Sequence, residues 1–257
     1  MGKLTKKSLT NLIKSASRGS GIEAQFLNDL IRHIERVGNK EVSKTYKPSS
    51  MNCIRNMYYQ VMGHSTEESD SNYELIGIGE SGTDRHERIQ SIIVELCKNS
   101  NRYEWIDVES YIKENNLINT QVVKKEKYET KCLYKPLNIS FKCDGIIKIE
   151  NIYHILEFKT ESFFKFQNRA EVADEHTNQA SCYSLAFDIE NVLFIYENRD
   201  CCSKKAYIYK VSSAKKNEIK NKILKCEEHK KKNIVPEKEI NKSCQYCNYK
   251  VRCKKDV

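Results

Sequence analysis

No stretch of the chain approaches the roughly 20 consecutive apolar residues that a bilayer-spanning helix needs, which excludes such a helix from the expectations. The opening residues, Met1-Gly2-Lys3-Leu4-Thr5-Lys6-Lys7, lead into no apolar signal-peptide core. Internal repeats and low-complexity linkers are also missing, so a single mixed α/β domain with terminal additions is expected. These absences point to a cytoplasmic protein. Abundant Lys, Asn and Ile suit an A+T-rich genome, hence a bacterial or phage-infected cell. Disulfides are rare in a reducing compartment. A clustered subset of the eleven cysteines is therefore expected to hold metal rather than to be oxidised.

With 257 residues the chain can bury one substantial core. Lys and Arg number 44 against 35 Asp and Glu, a net charge of +9. The excess gathers late, at Lys215-Lys216, Lys220, Lys222, Lys225 and Lys230-Lys231-Lys232. Such a run is either a solvated helix face or a surface that tracks phosphates, and charge alone leaves both open.

Residues 1–45 read as two polar-to-amphipathic helices, with Phe26, Leu27, Leu30, Ile31 and Ile34 at helical spacing. They are expected to form an N-terminal extension to a domain over 46–257. A helix is expected over Met51–Met62, its start capped by Ser49 or Ser50, then a polar loop over 64–79. A second helix is expected from about Thr83 to Lys98, with His86, Ile89, Ile93 and Leu96 on one stripe. Strands are expected at Gln121–Tyr134, Ile139–Ile149 and Ile152–Lys159, followed by a helix over Ala173–Phe187. Two further strands, Val192–Tyr196 and Ala206–Val211, precede a Lys-rich helix to about Lys232 and a Cys-rich tail.

The segment Phe141-Lys142-Cys143-Asp144-Gly145 runs on to Ile149, and Ile152 leads to Leu156-Glu157-Phe158-Lys159. If Glu150 and Asn151 form a two-residue turn, Ile149 pairs with Ile152, and the same antiparallel register sets Asp144 opposite Glu157. Opposed residues share a face with Cβ atoms about 4.5–5.5 Å apart. Lys159, two residues beyond Glu157, lies on that face too. Carboxylates this close repel unless a cation sits between them, and hard oxygen ligands select Mg²⁺ or Mn²⁺. A metal there would polarise a phosphodiester and activate water, with Lys159 orienting the water or neutralising developing charge. The backbone carbonyl of Phe158 is a further candidate ligand.

These residues resemble the PD-(D/E)xK nuclease superfamily, and more narrowly its RecB-like exonuclease branch, over about Cys53 to Cys253. Gly82-Thr83-Asp84-Arg85-His86 resembles the branch's G-x-x-x-H motif. Asp144 with Glu157-Phe158-Lys159 resembles the D…E-x-K core, and Gln179-Ala180-Ser181-Cys182-Tyr183 the Q-x-x-x-Y motif. The proline of the superfamily's name is replaced by Cys143. The resemblance implies a mixed sheet flanked by helices, of the restriction-endonuclease kind. It implies a metal held by His86, Asp144 and Glu157, catalysis by Asp144, Glu157, Lys159 and His86, and DNA contact at Gln179 and Tyr183. Arg55 and the late lysines are expected to meet the DNA backbone. The implied activity is a metal-dependent DNA nuclease, an exonuclease on single strands or ends in recombination, repair or CRISPR adaptation. The sequence contains no helicase segment, so strand opening would come from a partner or from fraying ends. A structure- or sequence-specific endonuclease of the same fold, and a non-catalytic DNA-binding protein, stay open as alternatives.

Cys244-x2-Cys247-x5-Cys253 closes the chain, with Cys53 far upstream. The spacing suits zinc or an iron–sulfur site. One early and three late cysteines resemble the Fe–S members of the branch, among them CRISPR-adaptation exonucleases and AddAB-type nuclease domains. That resemblance implies a 4Fe–4S cluster, with Zn²⁺ as the competing occupant. The seven other cysteines read as buried or incidental thiols, and the Cys201-Cys202 pair as part of a turn.

Overall fold

A computed structural model of the chain describes residues 21–37, 44–65 and 73–256. They divide into two compact units. The first holds helix α1 (Ile22–Val37) and the start of helix α3, Tyr73–Ile78; the second holds the rest. Of residues 1–45, the expected first helix lies outside the described residues. In α1, Phe26, Leu27 and Leu30 are all exposed.

The second unit is built on a five-stranded sheet. Its order is β1 (Tyr103–Ile106), β5 (Gly145–Ile149), β6 (Ile152–Glu161), β7 (Asn191–Asn198) and β8 (Lys204–Lys210). The β6–β7 pair is parallel and the others antiparallel. A three-stranded antiparallel meander, β2 (Thr120–Lys125), β3 (Thr130–Tyr134) and β4 (Ile139–Cys143), forms a second sheet. Side chains alternate across a strand, and both faces of the large sheet are apolar. Ile147, Leu156, Leu193 and Ile195 form one face with Cys97 and Ile93 of α3 (Tyr73–Lys98). Ile146, Ile155, Val192, Phe194 and Tyr196 on the other join the main core with Ala180, Tyr183 and Phe187 of α6 (Asp174–Phe187). Residues of α2 (Ile54–Val61) and α7 (Ser213–Lys232) complete that core. Two short helices, α4 (Val108–Glu114) and α5 (Phe163–Gln167), follow β1 and β6, and α8 (Lys250–Lys255) lies in the tail. The architecture is a mixed central sheet flanked by helices, as in a restriction-endonuclease-like core. No helix among the described residues is long and apolar enough to cross a membrane.

Glu150 and Asn151 take φ of 49° and 69°, the pair of positive values a type I′ turn requires. Ile149 pairs with Ile152 and Gly145 with Leu156, the register read from the sequence. Other expectations change. The run Ile139–Ile149 is not one strand, because it breaks at Asp144 and its halves enter different sheets. The run Gln121–Tyr134 is likewise two strands, β2 and β3, joined through Glu126–Glu129. Helix α3 starts at Tyr73, ten residues before the expected Thr83, within the segment read as a loop. No serine caps α2: Cys53 holds the N-cap position, and Ser50 Oγ donates instead to the Lys47 carbonyl at 2.7 Å.

Gly145 makes the break possible. Its φ is +153°, and a Cβ there would lie 2.3 Å from the Trp105 ring. Trp105 of β1 therefore packs directly on the backbone beside Asp144. We expect Gly145→Ala to cost about 3 kcal/mol in chemical denaturation, from backbone strain and overpacking together. Combined with Trp105→Ala, the two losses should fall short of additivity by about 1 kcal/mol, because the ring that the new methyl strikes is gone. Strict additivity would show that the ring is not the obstacle.

Candidate metal and phosphodiester site

Asp144 stands in the gap between the two sheets, within reach of both. The β5–β6 register, extended by one pair, sets it opposite Glu157. The β3–β4 register, in which Thr130 pairs with Cys143, sets it opposite Glu129 when extended in the same way. Its carboxylate is nearly buried. Oδ2 accepts from the Phe158 backbone N–H at 2.8 Å, and the Asp144 carbonyl accepts from Gln90 Nε2 of α3 at 2.8 Å.

From the α3 face comes His86. Its Nδ1 lies 3.3 Å from Asp144 Oδ1 and 3.9 Å from Glu129 Oε1, and its ring meets Phe158 edge-on with centroids 4.9 Å apart. Burial alone would lower the His86 pKa, but the bond to Asp144 and the carboxylate charges around it raise it overall. His86, Glu129 and Asp144 form the one group among the described residues with three potential ligand atoms within 4.8 Å of one another. Glu129 also accepts from Lys142 Nζ at 2.8 Å.

From the α6 face come Glu157 and Lys159, which are ion-paired. Gln179 ties them together with every polar atom it has. Its Oε1 accepts from Lys159 Nζ at 3.0 Å; its Nε2 donates to Glu157 Oε1 at 2.7 Å and to the Tyr183 hydroxyl at 2.5 Å. Glu157 is 3% exposed, and its Oε2 has no hydrogen-bond partner among the described residues. Burial pushes its pKa up to about 7. The Lys159 ammonium opposes that rise and the Asp144 charge adds to it.

These residues fit a divalent cation. A buried carboxylate oxygen without a donor, next to a second carboxylate, is costly unless a cation serves it. The Phe158 carbonyl leaves the strand on the same edge as its N–H, which faces Asp144 because β5 pairs with β6 no further than Leu156. Glu129 was not visible as a ligand in the sequence. The signal was there only in the Glu126-Lys127-Tyr128-Glu129 interruption, which turns one apparent strand into a hairpin with Glu129 at its edge.

Two residues expected to contact nucleic acid are buried. Arg55 is 5% exposed, and its guanidinium donates to the carbonyls of Pro236 (2.6 Å), Cys253 (3.3 Å) and Asp256 (3.0 Å). A guanidinium so committed braces the tail, and this replaces the phosphate contact expected of it. Tyr183, 2% exposed, supports Gln179 from beneath and offers no surface to a strand. On α7, Ile219, Ile223 and Cys226 are buried, and Lys215 and Lys222 pair with Glu218. A hollow of about 540 Å³ beside Cys97, Trp105 and Lys148 is not lined by His86, Glu129, Asp144, Glu157 or Lys159.

Cys53, Cys244, Cys247 and Cys253 are all half-buried free thiols, and the charge of each of the other three bears on Cys247. All four receive donors, Cys53 from the backbone N–H groups of Arg55 and Asn56. Cys247 Sγ takes Asn56 Nδ2 at 3.6 Å, Cys244 Sγ the Asn241 N–H at 3.4 Å and Cys253 Sγ Arg55 Nη1 at 3.8 Å. Thiolate ligands need such donors. Of the other cysteines, Cys97, Cys132, Cys143, Cys182 and Cys226 are buried, and Cys201 and Cys202 lie exposed between β7 and β8.

No family model matches the chain, and no curated protein does. Solved structures do. The crystal structure of SSO0001 aligns with a TM-score of 0.50 at 13% identity, over 91% of this chain and 98% of that one. An alkaline exonuclease, LHK-Exo from Laribacter hongkongensis, aligns with a TM-score of 0.41 at 10% identity, over 77% of this chain and 97% of that one. The likeness is one of fold.

A charge cluster holds α3 against the sheet. Glu197 of β7 is fully buried and pairs with Arg85 (2.8 Å), Arg88 (2.7 Å) and Lys204 (3.0 Å). Arg85 precedes His86, so this clamp sets where the imidazole points. Burial would raise the Glu197 pKa, but Lys204, Arg85 and Arg88 more than reverse that and hold it below its ordinary 4.5. Its ionised form therefore stabilises the fold above that ordinary value, and the gain is lost as pH falls through the lowered one. Glu197→Gln should cost about 3 kcal/mol at neutral pH. The gap from wild type should narrow in denaturation curves taken at successively lower pH below that ordinary value; a gap independent of pH would rule out the ionised pairing.

Proposed function

We propose that this chain is a divalent-metal-dependent deoxyribonuclease that acts on single-stranded DNA or DNA ends. The observation that carries the reading is Asp144, set between Glu129 and His86 on one side and the Glu157–Lys159–Gln179 network on the other. The three motifs that meet there occur in the order of the RecB-like branch, within a sheet of the matching class.

Asp144, Glu157 and His86 would hold Mg²⁺ or Mn²⁺, with Glu129 and the Phe158 carbonyl as further ligands. When bound, the metal supplies Lewis acidity toward the phosphodiester and lowers the pKa of water. The chain's residues supply the remainder. The N–H of Phe158 fixes the rotamer of Asp144. Gln179 holds the Lys159 ammonium beside Glu157, where it can orient the attacking water and meet the charge that develops on the phosphorus oxygens. The buried Tyr183 hydroxyl keeps Gln179 in that rotamer. Recombination, repair or CRISPR adaptation are the settings this chemistry suits, with strand opening left to a helicase or recombination partner.

The four thiols we assign to a 4Fe–4S cluster. The support is the resemblance of one early and three late cysteines to the Fe–S members of the branch, with tetrahedral zinc as the alternative. Cys53→Ser should lower iron per chain and the melting temperature of anaerobically purified protein together. Stoichiometric zinc without iron would replace this assignment with the zinc alternative.

End-labelled single strands with Mn²⁺ test the activity. Wild type should degrade them. Asp144→Ala and Lys159→Ala should lose at least about 100-fold in rate, and Glu129→Ala about 10–100-fold with weaker Mn²⁺ binding by calorimetry. Equal cleavage of a covalently closed circle would make it an endonuclease. Activity unchanged in Asp144→Ala would mean a contaminating enzyme and a DNA-binding role for the chain.

A further inference from the structure

Helix α5 has the sequence Phe-Phe-Lys-Phe-Gln, and it buries only one of its three aromatic rings. Phe166 is 4% exposed beneath the Lys205 ammonium, whereas Phe163 and Phe164 are 54% and 77% exposed. A second exposed aromatic comes from the tail. Tyr246, 55% exposed between Cys244 and Cys247, lies under the Lys165 ammonium at 5.8 Å. Two unrelated segments thus bring solvent-facing rings and a cation to one place.

That place adjoins the metal site. Strand β6 carries Glu157 and Lys159 and ends at Glu161, so Phe164 follows Lys159 by five residues. The span is at most about 17 Å of extended chain, or roughly five nucleotides at 3.4 Å each along one strand. Lys159 and Lys165 also lie near one group. The pKa of His176 of α6, one turn before Gln179, is lowered first by burial and then by the charges of Lys159, Arg169 and Lys165. The cation beside the carboxylates and the cation beside the rings thus flank the same imidazole.

We propose that Phe164 and Tyr246, with Lys165, form a stacking platform for the bases of a single strand whose phosphate lies beside Lys159 at the candidate metal site. This rests on the nuclease reading and adds to it the path of the strand. Aromatic faces accept any base, while a cation tracks the backbone, so the platform binds without sequence preference. It also gives the cysteine tail a role beyond stability, because the tail presents Tyr246 to the strand.

The test uses anaerobically purified full-length protein and two labelled strands of equal length, oligothymidylate and an abasic strand. Binding is read by fluorescence anisotropy in EDTA and cleavage in Mn²⁺. Wild type should bind oligothymidylate about tenfold or more tightly than the abasic strand. Phe164→Ala and Tyr246→Ala should each lower oligothymidylate affinity about tenfold, leave the abasic strand unaffected and unfold at the wild-type temperature. Phe164→Trp should retain binding and Phe164→Leu should not. If wild type cleaves while the alanine variants bind both strands as it does, the platform is wrong and the nuclease reading stands. If wild type neither binds nor cleaves, both fall. A change of sedimentation with Phe164→Ala, at unchanged affinity, would assign the patch to self-association and overturn the proposal.

Discussion

Everything in the candidate site depends on a β-ladder that changes sheets at one residue. Cys143 still pairs within the meander and Gly145 already pairs with Leu156 of β6. Asp144 between them belongs to neither sheet, and it is there that the two sheets bring their edges together. Its side chain can therefore face Glu129 across one register and Glu157 across the other. A continuous strand would have offered it one cross-strand neighbour on each side of a single sheet, with no gap through which His86 could enter from α3. Gly145 permits the break because Trp105 occupies the space a Cβ would need. Packing at β1 thus governs the placement of charge at Asp144.

The two helical layers contribute different chemistry to that gap. On one side α3 brings an imidazole, held by Arg85 and Arg88 on a glutamate that has no exposed surface. On the other, α6 brings an amide whose polar atoms are all engaged and whose only freedom is to move together with Lys159, Glu157 and Tyr183. A rigid polar network of this kind keeps catalytic groups within a fraction of an ångström of their positions. The Glu157 oxygen that has no partner among the described residues is the exception. An orphaned acceptor inside an otherwise saturated network has a functional explanation more readily than a structural one.

Much of this was legible in the sequence because the hairpin at Glu150-Asn151 has only one register that keeps Ile149 and Ile152 together. Asp144, Glu157 and Lys159 follow from counting along it. The break at Asp144 was hidden in a run that alternates apolar and polar residues like one strand, where Gly145 is the sole mark of a change in direction. Glu129 was hidden for the related reason that a short polar interruption between two strand-like stretches carries no turn dipeptide of Gly, Pro or Asn. The early turns of α3 were masked by Gly77, Gly79 and Gly82, because glycine is a poor helix former. Depth was the least legible quantity. Arg55 and Tyr183 have side chains that commonly meet nucleic acid, and nothing local in the sequence reveals that tertiary packing has buried both. Strand β1 has four residues and helix α4 seven, too few for periodicity to register.

The arrangement around Arg55 also bears on how the chain reaches its native state. Arg55 bonds Pro236 and Asp256 across 181 and 201 positions, Tyr59 bonds Asp256 across 197, and Tyr46 bonds Glu227 across 181. Contacts so distant along the chain form late and slow the search for the native topology. Until they form, a guanidinium and two phenols built for the interior stay in water, and α2 has nothing to pack beneath. Synthesis therefore delivers Cys53 nearly two hundred residues before its companions in the tail. The four sulfurs can meet only after almost the whole polypeptide has folded, so any cluster they carry is inserted into a nearly finished protein.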